Sequence, residues 1–142
     1  TSLLDNVMMT IRAEALDACE PIMHRDGVLT EGASSNVFVL HDGRLLTPTL
    51  GGERKILAGV TRQLVIEAAA SLGRTVEEAD IPVETFRNAE EAFVSSSRRL
   101  VAAIDSIDGA PVDDGRPGPV TMSILGELHR RIASETGALQ GR

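Results

Sequence analysis

Three short stretches of the chain place polar side chains that could do chemistry beside apolar residues. The first, TEGASSNVF at 30–38, sets Glu31 ahead of a glycine, three small residues and an asparagine. Glycine permits backbone conformations and close approaches that other residues cannot adopt, and Ser and Asn side chains can satisfy backbone groups locally. The stretch is suited to hold the carboxylate of Glu31 in one place, although a plain polar loop entering a hairpin would have the same composition.

The second stretch is Gly59-Val60-Thr61, which opens the clearest helix in the sequence. The apolar stripe of that helix recurs at helical spacing, and Gly73 marks its end; its members are Leu64, Val65, Ala68, Ala69 and Leu72. A helix N-terminus presents free backbone N–H groups and the positive end of the helix dipole, which suits a phosphate. An ordinary threonine cap is the alternative interpretation.

The third stretch is Ser95-Ser96-Ser97, which follows an apolar run and precedes Arg98 and Arg99. Together the three stretches supply a fixed carboxylate, an anion site and a hydroxyl cluster. A cofactor that carries both a basic heteroaromatic nitrogen and a phosphate would use all three.

Composition excludes several other classes of function. The 142 residues are enough for about one domain, and 42% of them are hydrophobic. Only 2% are aromatic and the net charge is −7, which argues against base stacking and against a nucleic-acid partner. A single cysteine, Cys19, fits a reducing compartment, and no run is long enough to span a membrane. We expect a cytoplasmic protein with no membrane partner, and no metal site, because His24 has no second His or Cys nearby.

The elements that must position these residues follow from periodicity and turn residues. Residues 5–19 have helical spacing, and Pro21 would end that helix. Asp42-Gly43 lies between two apolar runs and predicts a hairpin. The remaining predicted elements are strands at 21–24, 37–40, 45–47, 75–79, 92–95 and 100–104, a tight turn at 25–27, a short helix at 83–90 and a last helix after Pro119.

The three stretches also carry a family resemblance. TEGASSNVF at 30–38, ILAGVTR at 56–62, and EAFVSSS at 91–97 followed by IDSIDG at 104–109 resemble the fold-type-IV pyridoxal-phosphate enzymes. These are the D-amino-acid and branched-chain aminotransferases and aminodeoxychorismate lyase. The resemblance implies an α/β fold with a mixed, largely antiparallel curved sheet and flanking helices. It further implies pyridoxal 5'-phosphate as cofactor, an amino acid or amine and a 2-oxo acid as substrates, and a homodimer.

The resemblance also implies roles for single residues. Glu31 matches the glutamate that contacts the pyridine nitrogen of the cofactor, where an anion keeps that nitrogen protonated. Val60 and Thr61 match the backbone and side-chain donors to the phosphate, and Ser97 matches a further hydroxyl that reaches it. Leu57 matches the apolar residue packed against the ring face.

The substrate end of the site departs from the family pattern. Ser96 and Arg98 flank the turn that receives the substrate carboxylate in the family, where small residues and then Glu-Ile-Thr-Pro commonly follow the serines. Here Arg98, Arg99 and Leu100 stand instead, which leaves the substrate open. Neighbouring residues of a strand face opposite ways, so at most one arginine should enter the site. Arg98 would favour a dicarboxylic partner there, and two solvated arginines are the alternative.

A catalytic lysine is also expected in this family, and Lys55 is the only lysine of the chain. In the family, a stretch resembling residues 2–7 follows closely after the catalytic lysine. The resemblance therefore places that lysine just before Thr1. It implies that residues 1–142 are the C-terminal pyridoxal-phosphate-binding domain alone, without the smaller N-terminal domain, and inactive by themselves.

Three alternatives to an aminotransferase remain open. Within the family, a lyase acting on an aminodeoxychorismate-like substrate needs the same glutamate. Outside it, an N-terminal threonine hydrolase would use Thr1 as nucleophile and its own amine as base. A non-catalytic module for cofactor binding or dimerisation is the third.

Overall fold

The computed structural model describes residues 8–13, 16–32, 35–49, 60–96 and 100–140, and the side chains of 22–30, 35–49, 60–96 and 100–134. The strands in these ranges are β1 Met8–Ala13, β2 Leu16–Arg25, β3 Val28–Gly32, β4 Asn36–His41, β5 Arg44–Pro48, β6 Val76–Ala79, β7 Glu91–Ser96, β8 Leu100–Ile107 and β9 Ala110–Pro111. The helices are α1 Val60–Ser71, α2 Val83–Arg87 and α3 Pro119–Gln140.

The described strands form one sheet in the order β3-β2-β1-β8-β7-β4-β5-β6, with β9 paired to β8. The β5–β6 pair is parallel, and the other pairs among the described strands are antiparallel. Although β3 stands at the far end of this order, it also contacts β4 and β5, so the sheet curls back on itself. These features confirm the predicted α/β fold with a mixed, largely antiparallel curved sheet.

Each face of the sheet carries its own hydrophobic core, because successive side chains of a strand point to opposite faces. In β4, Val37 and Val39 belong to one core, together with Phe86 of α2. Phe38 and Leu40 belong to the other core, which α1 and α3 cover. Helix α1 therefore lies on the Phe38 face of the sheet.

The hairpin turns lie at the positions that the sequence predicted. Asp42 and Gly43 join β4 to β5 with φ angles of 52° and 74°, the left-handed values that Asp-Gly turns require. Asp26 and Gly27 make the corresponding turn between β2 and β3. Gly73, at φ 83°, follows the end of α1, which confirms it as the stop signal of that helix.

The helix predicted for residues 5–19 was wrong in its described part. The structure has β1 there, followed by the start of β2, and pairs Met8 with Pro21 through to Ala13 with Leu16. β1 also pairs with β8, so its backbone groups find partners on both sides. Pairing of this kind outweighs the weak preference of a short apolar pattern for a helix. The short helix predicted at 83–90 ends earlier, at Arg87.

Candidate functional site

The end of β7 and the start of β4 bring two polar residues of the predicted stretches together. Asn36 lies directly opposite Ser95 in the antiparallel register, and Phe38 lies opposite Phe93. The two Phe rings stack, with centroids 4.9 Å apart and planes at 11°. This apolar pair fixes the register that sets Asn36 beside Ser95.

The hydroxyl of Ser95 is buried and has no partner among the described residues. Its side chain is 1% exposed, and its Oγ makes no hydrogen bond within the described part of the chain. Ser95 lies two residues from Phe93, so it shares the sheet face that α1 and α3 cover. Ser96 points to the opposite face and is half-buried.

The first turn of α1 lies on the same face as Ser95. The Val60 side chain is 80% exposed, whereas Thr61 is buried at 6% exposure. The first N–H groups of a helix have no intrahelical acceptor, and the helix dipole makes this end positive. The hydroxyl of the buried Thr61 and these N–H groups can together receive an anion.

Arg62 anchors this helix end to the sheet, a role that the sequence analysis did not assign. Its side chain is 2% exposed. Its Nη2 donates a hydrogen bond of 3.2 Å to the carbonyl oxygen of Pro48, at the end of β5. The same nitrogen lies 3.7 Å from a carboxylate oxygen of Glu78 in β6. The sequence did carry one signal for this role, because Arg62 directly follows Thr61 on the apolar side of the helix.

Glu91 is a second residue that the sequence analysis passed over. This buried carboxylate begins β7 and accepts hydrogen bonds from the backbone N–H groups of Val120 and Thr121 at 3.1 and 2.8 Å. The hydroxyl of Thr121 donates another at 2.7 Å. Glu91 thereby caps the N-terminus of α3 and fixes that helix on the face that also carries α1.

The other predicted site residues are only partly described. Glu31 lies in β3, next to Gly32, which pairs with Ile22 of β2; the position of its side chain is not described. The contacts of β3 with β4 and β5 bring the backbone of Glu31 towards the strands that carry the site. Leu57, Ser97 and Arg98 lie outside the described residues, as do Lys55 and Thr1.

The shifted pKa values among the described side chains belong to two ion clusters, and neither includes a predicted site residue. A hydrogen bond from Arg130 and another from Arg131 lower the pKa of Glu127 on α3 to about 2. The hydrogen bond between Arg44 and Glu77 raises the pKa of the arginine and lowers that of the glutamate.

None of the helices in the described ranges has the length and hydropathy needed to cross a lipid bilayer.

Comparison with known proteins decides the family. The family described as amino-transferase class IV matches residues 1–107 of the sequence. The chain belongs to the class IV aminotransferase family.

Other members of the class IV aminotransferases are similar over most of the chain. The D-alanine aminotransferase of Listeria innocua is 36% identical over 139 residues, which are 98% of this chain and 47% of that protein. The solved branched-chain amino acid aminotransferase from Escherichia coli matches with a TM-score of 0.72 and 35% identity over 78% of this chain and 37% of that one. An aminotransferase from Brucella abortus bound to the co-factor PLP matches with a TM-score of 0.71 and 29% identity over 78% of this chain and 38% of that one.

The chain therefore spans about half the length of the curated class IV aminotransferases that it matches. The family resemblance seen in the sequence is confirmed. The roles of individual residues remain predictions.

Proposed function

We propose that this chain is the cofactor-binding part of an enzyme that uses pyridoxal phosphate to transfer an amino group between an amino acid and a 2-oxo acid. The observation that carries the proposal is the arrangement at α1, whose first turn holds the buried Thr61. This helix covers the sheet face that also carries Ser95, whose hydroxyl has no hydrogen-bond partner among the described residues. The chain belongs to the class IV aminotransferases, and this membership gives the arrangement its chemical interpretation.

The described residues fit the phosphate of that cofactor. A helix N-terminus with a hydroxyl in its first turn binds phosphate through N–H donors and the helix dipole. A buried hydroxyl without a partner is costly, and the hydroxyl of Ser95, near the end of β7, has none among the described residues. A polar group bound at this edge of the sheet, directly or through a water molecule, would relieve that cost.

Each residue of the proposed site would hold or orient the cofactor. Thr61 and the backbone N–H of Val60 would bind the phosphate, with the hydroxyl of Ser97 as a further donor. Leu57 would pack against the ring face and exclude water from it. Glu31 would keep the pyridine nitrogen protonated, because a nearby anion favours the charged form of a base.

When bound, the cofactor supplies an electron-accepting ring that takes up the electron pair left when a proton leaves the substrate's α-carbon. The chain's own contribution is the charge of Glu31, which makes the ring a better acceptor. Over a full cycle one amino acid becomes its 2-oxo acid and a second 2-oxo acid becomes its amino acid, so the amino group is conserved.

The amino donor that we propose first is D-alanine, because the curated relatives most similar in sequence include D-alanine aminotransferases. Branched-chain amino acids are the second candidate, because solved branched-chain aminotransferases share the fold at 35% identity. Ser96 and Arg98 are the proposed contacts for the substrate carboxylates, and Arg98 would favour 2-oxoglutarate as acceptor through its planar fork of donors.

The rest of the active site is proposed to lie outside these 142 residues. Lys55 is the only lysine here, and the sequence before it, Gly51-Gly52-Glu53-Arg54, is rich in glycine and charge. We propose that the catalytic lysine and a smaller N-terminal domain belong to the part of the relatives that this chain does not cover, and that the whole enzyme is a homodimer.

The direct assay uses the longest native polypeptide that contains these residues, reconstituted with pyridoxal phosphate. D-alanine and 2-oxoglutarate are supplied, and pyruvate and glutamate are measured in equal amounts. The three branched-chain amino acids and an aminodeoxychorismate-type substrate are run in parallel. Product from the last substrate alone, without amino transfer, would favour the lyase, and cofactor binding without any turnover would favour a non-catalytic module.

A further inference from the structure

Arg62 is the one charged residue among the buried positions of α1, which also include Thr61, Val65, Ala68 and Ala69. Burying a guanidinium costs free energy unless its N–H groups find partners. The contacts of Arg62 offset this cost only in part, because its Nε has no hydrogen-bond partner within the described residues. A residue of this kind calls for an explanation beyond packing.

The contacts of Arg62 determine where the first turn of α1 lies. Its Nη2 donates to the carbonyl oxygen of Pro48, the last residue of β5, and approaches Glu78 of β6. These strands are the parallel pair at the edge of the sheet. A single side chain thus connects the third residue of α1 to two strands, directly after the two residues that would hold the phosphate.

Stability alone does not account for an arginine at this position. An apolar residue of similar volume often replaces a buried ion pair without loss of stability, or with a gain. The partner carboxylate is also imperfect, because the side chain of Glu78 is 46% exposed and its oxygen lies 3.7 Å away. Part of the positive charge of Arg62 is therefore left unneutralised beneath the helix N-terminus, where the low dielectric strengthens its effect on an anion.

We propose that Arg62 is a positioning residue for the phosphate subsite of the cofactor. It fixes the first turn of α1 on the sheet edge, so that the N–H groups and the Thr61 hydroxyl are held ready for the anion, and it adds positive potential beneath them. This inference rests on the proposed function, because it concerns the phosphate of the proposed cofactor.

The test compares ligands with and without a phosphate in the longest native polypeptide that contains these residues. Pyridoxal phosphate, pyridoxal and inorganic phosphate are titrated into the wild type, Arg62→Met and Arg62→Lys. In Arg62→Met we expect pyridoxal phosphate and inorganic phosphate to bind about ten- to a hundredfold more weakly, as for a lost charge-assisted interaction, and pyridoxal to bind as before. Arg62→Lys should recover part of the loss, because it keeps the charge but not the planar fork.

Arg74→Met is the matched control, since Arg74 also donates to a backbone carbonyl, that of Gly43, from a half-buried position after the end of α1. Its affinity for all three ligands should equal that of the wild type. If Arg62→Met fails to fold, Arg62→Lys and Glu78→Gln serve as the test. Glu78→Gln removes the partly neutralising charge and should bind pyridoxal phosphate more tightly than the wild type, by about two- to fivefold if the two charges interact at near-surface dielectric.

Equal weakening of pyridoxal and pyridoxal phosphate in Arg62→Met would mean a general loss of structure and would overturn the inference. Unchanged affinity of Arg62→Met for all three ligands would also overturn the inference. The same holds if Glu78→Gln does not change the affinity for pyridoxal phosphate. A wild type that does not bind pyridoxal phosphate at all would instead refute the proposed function. The two failures are therefore distinguishable.

Discussion

At the scale of single residues, the candidate site consists of a few polar groups held by apolar neighbours. The stacked Phe38 and Phe93 rings set Asn36 opposite Ser95, and the apolar side of α1 carries Thr61 and Arg62 into the structure. The chemistry of such groups can be tested by changes that preserve shape.

Glu31→Gln changes the proposed partner of the cofactor's ring nitrogen from an anion to a neutral amide of the same shape. The nitrogen then loses the charge that keeps it protonated. We expect the rate of amino transfer to fall roughly 10²–10³-fold, as for the loss of an electrostatic partner in the transition state, with little change in the affinity for the phosphate. Steady-state kinetics and a cofactor titration measure the two quantities, and wild-type turnover by this variant would exclude the role.

Thr61→Ala removes a buried hydroxyl but leaves the helix dipole and the backbone N–H groups in place. The expected loss in affinity for pyridoxal phosphate is about 1–3 kcal/mol, the usual range for a hydrogen bond to a charged group. Thr61→Ser keeps the hydroxyl and should bind close to wild type. If titration finds equal affinities for the alanine and serine variants, Thr61 is an ordinary helix cap.

The sequence predicted some of these residues and not others, for physical reasons. Thr61 stood out because a hydroxyl at the start of a helix can cap the helix or help to bind an anion. Ser95 could not be ranked above Ser96 and Ser97, because the pairing with β4 decides which hydroxyl faces α1. Arg62 and Glu91 were missed because a charged residue normally lies on the surface, and only the fold shows their buried partners.

At the scale of elements, the attachment of α3 depends on Glu91 and on the absence of a side chain at Gly118. A Cβ at Gly118 would overlap the side chain of Glu91, which three hydrogen bonds hold in place. Gly126, in the middle of α3, has open space around it. Substitution of Gly118 and of Gly126 by alanine can therefore be compared as test and control.

Gly118→Ala should destabilise the fold by about 1–3 kcal/mol, the usual cost of forcing a methyl group into a filled space. Gly126→Ala should instead stabilise it by up to about 1 kcal/mol, because alanine is the better helix former. Urea denaturation of the longest native polypeptide gives both values. A Gly118→Ala variant as stable as wild type would show that Glu91 does not fix α3.

The ion cluster on α3 predicts a dependence of stability on pH. The pKa of Glu127 is lowered from 4.5 to about 2 by its hydrogen bonds to Arg130 and Arg131. Since the pKa is lower in the folded state, the ionised carboxylate stabilises the fold above the unfolded pKa, and this contribution is lost as the pH falls through the folded pKa. The side chains of Arg130 and Arg131 are 67% and 34% exposed, so solvent screens the interaction and the effect should be modest.

Thermal unfolding of wild type and Glu127→Gln as a function of pH measures this contribution. The wild type should be the more stable protein near neutral pH, and the difference should shrink between about pH 4.5 and about pH 2. A difference that persists unchanged at low pH would contradict the assigned pKa.

Elements with strong local signals were predicted well, and those that depend on distant partners were not. The Asp42-Gly43 hairpin requires left-handed backbone angles that few residues tolerate, so its sequence determines it. The first strand has no such signal, and its identity follows from pairing with β2 and β8. That β5 and β6 are parallel also could not be read from either strand alone.

At the scale of the whole molecule, the described residues form a sheet with a core on each face, within a chain that covers about half the length of its curated relatives. The fold class followed from the sequence through the family resemblance. The division of the active site between this chain and a further domain remains a proposal, because it concerns a lysine that these residues do not supply.

The most direct measurement maps the lysine that binds the cofactor. The longest native polypeptide containing these residues is incubated with pyridoxal phosphate, reduced with borohydride, digested and analysed by mass spectrometry, and turnover is assayed on the unreduced sample. The account predicts a stoichiometric pyridoxyl group on a lysine outside the 142 residues, together with amino transfer. A stoichiometric pyridoxyl group on Lys55 in an active enzyme would contradict it.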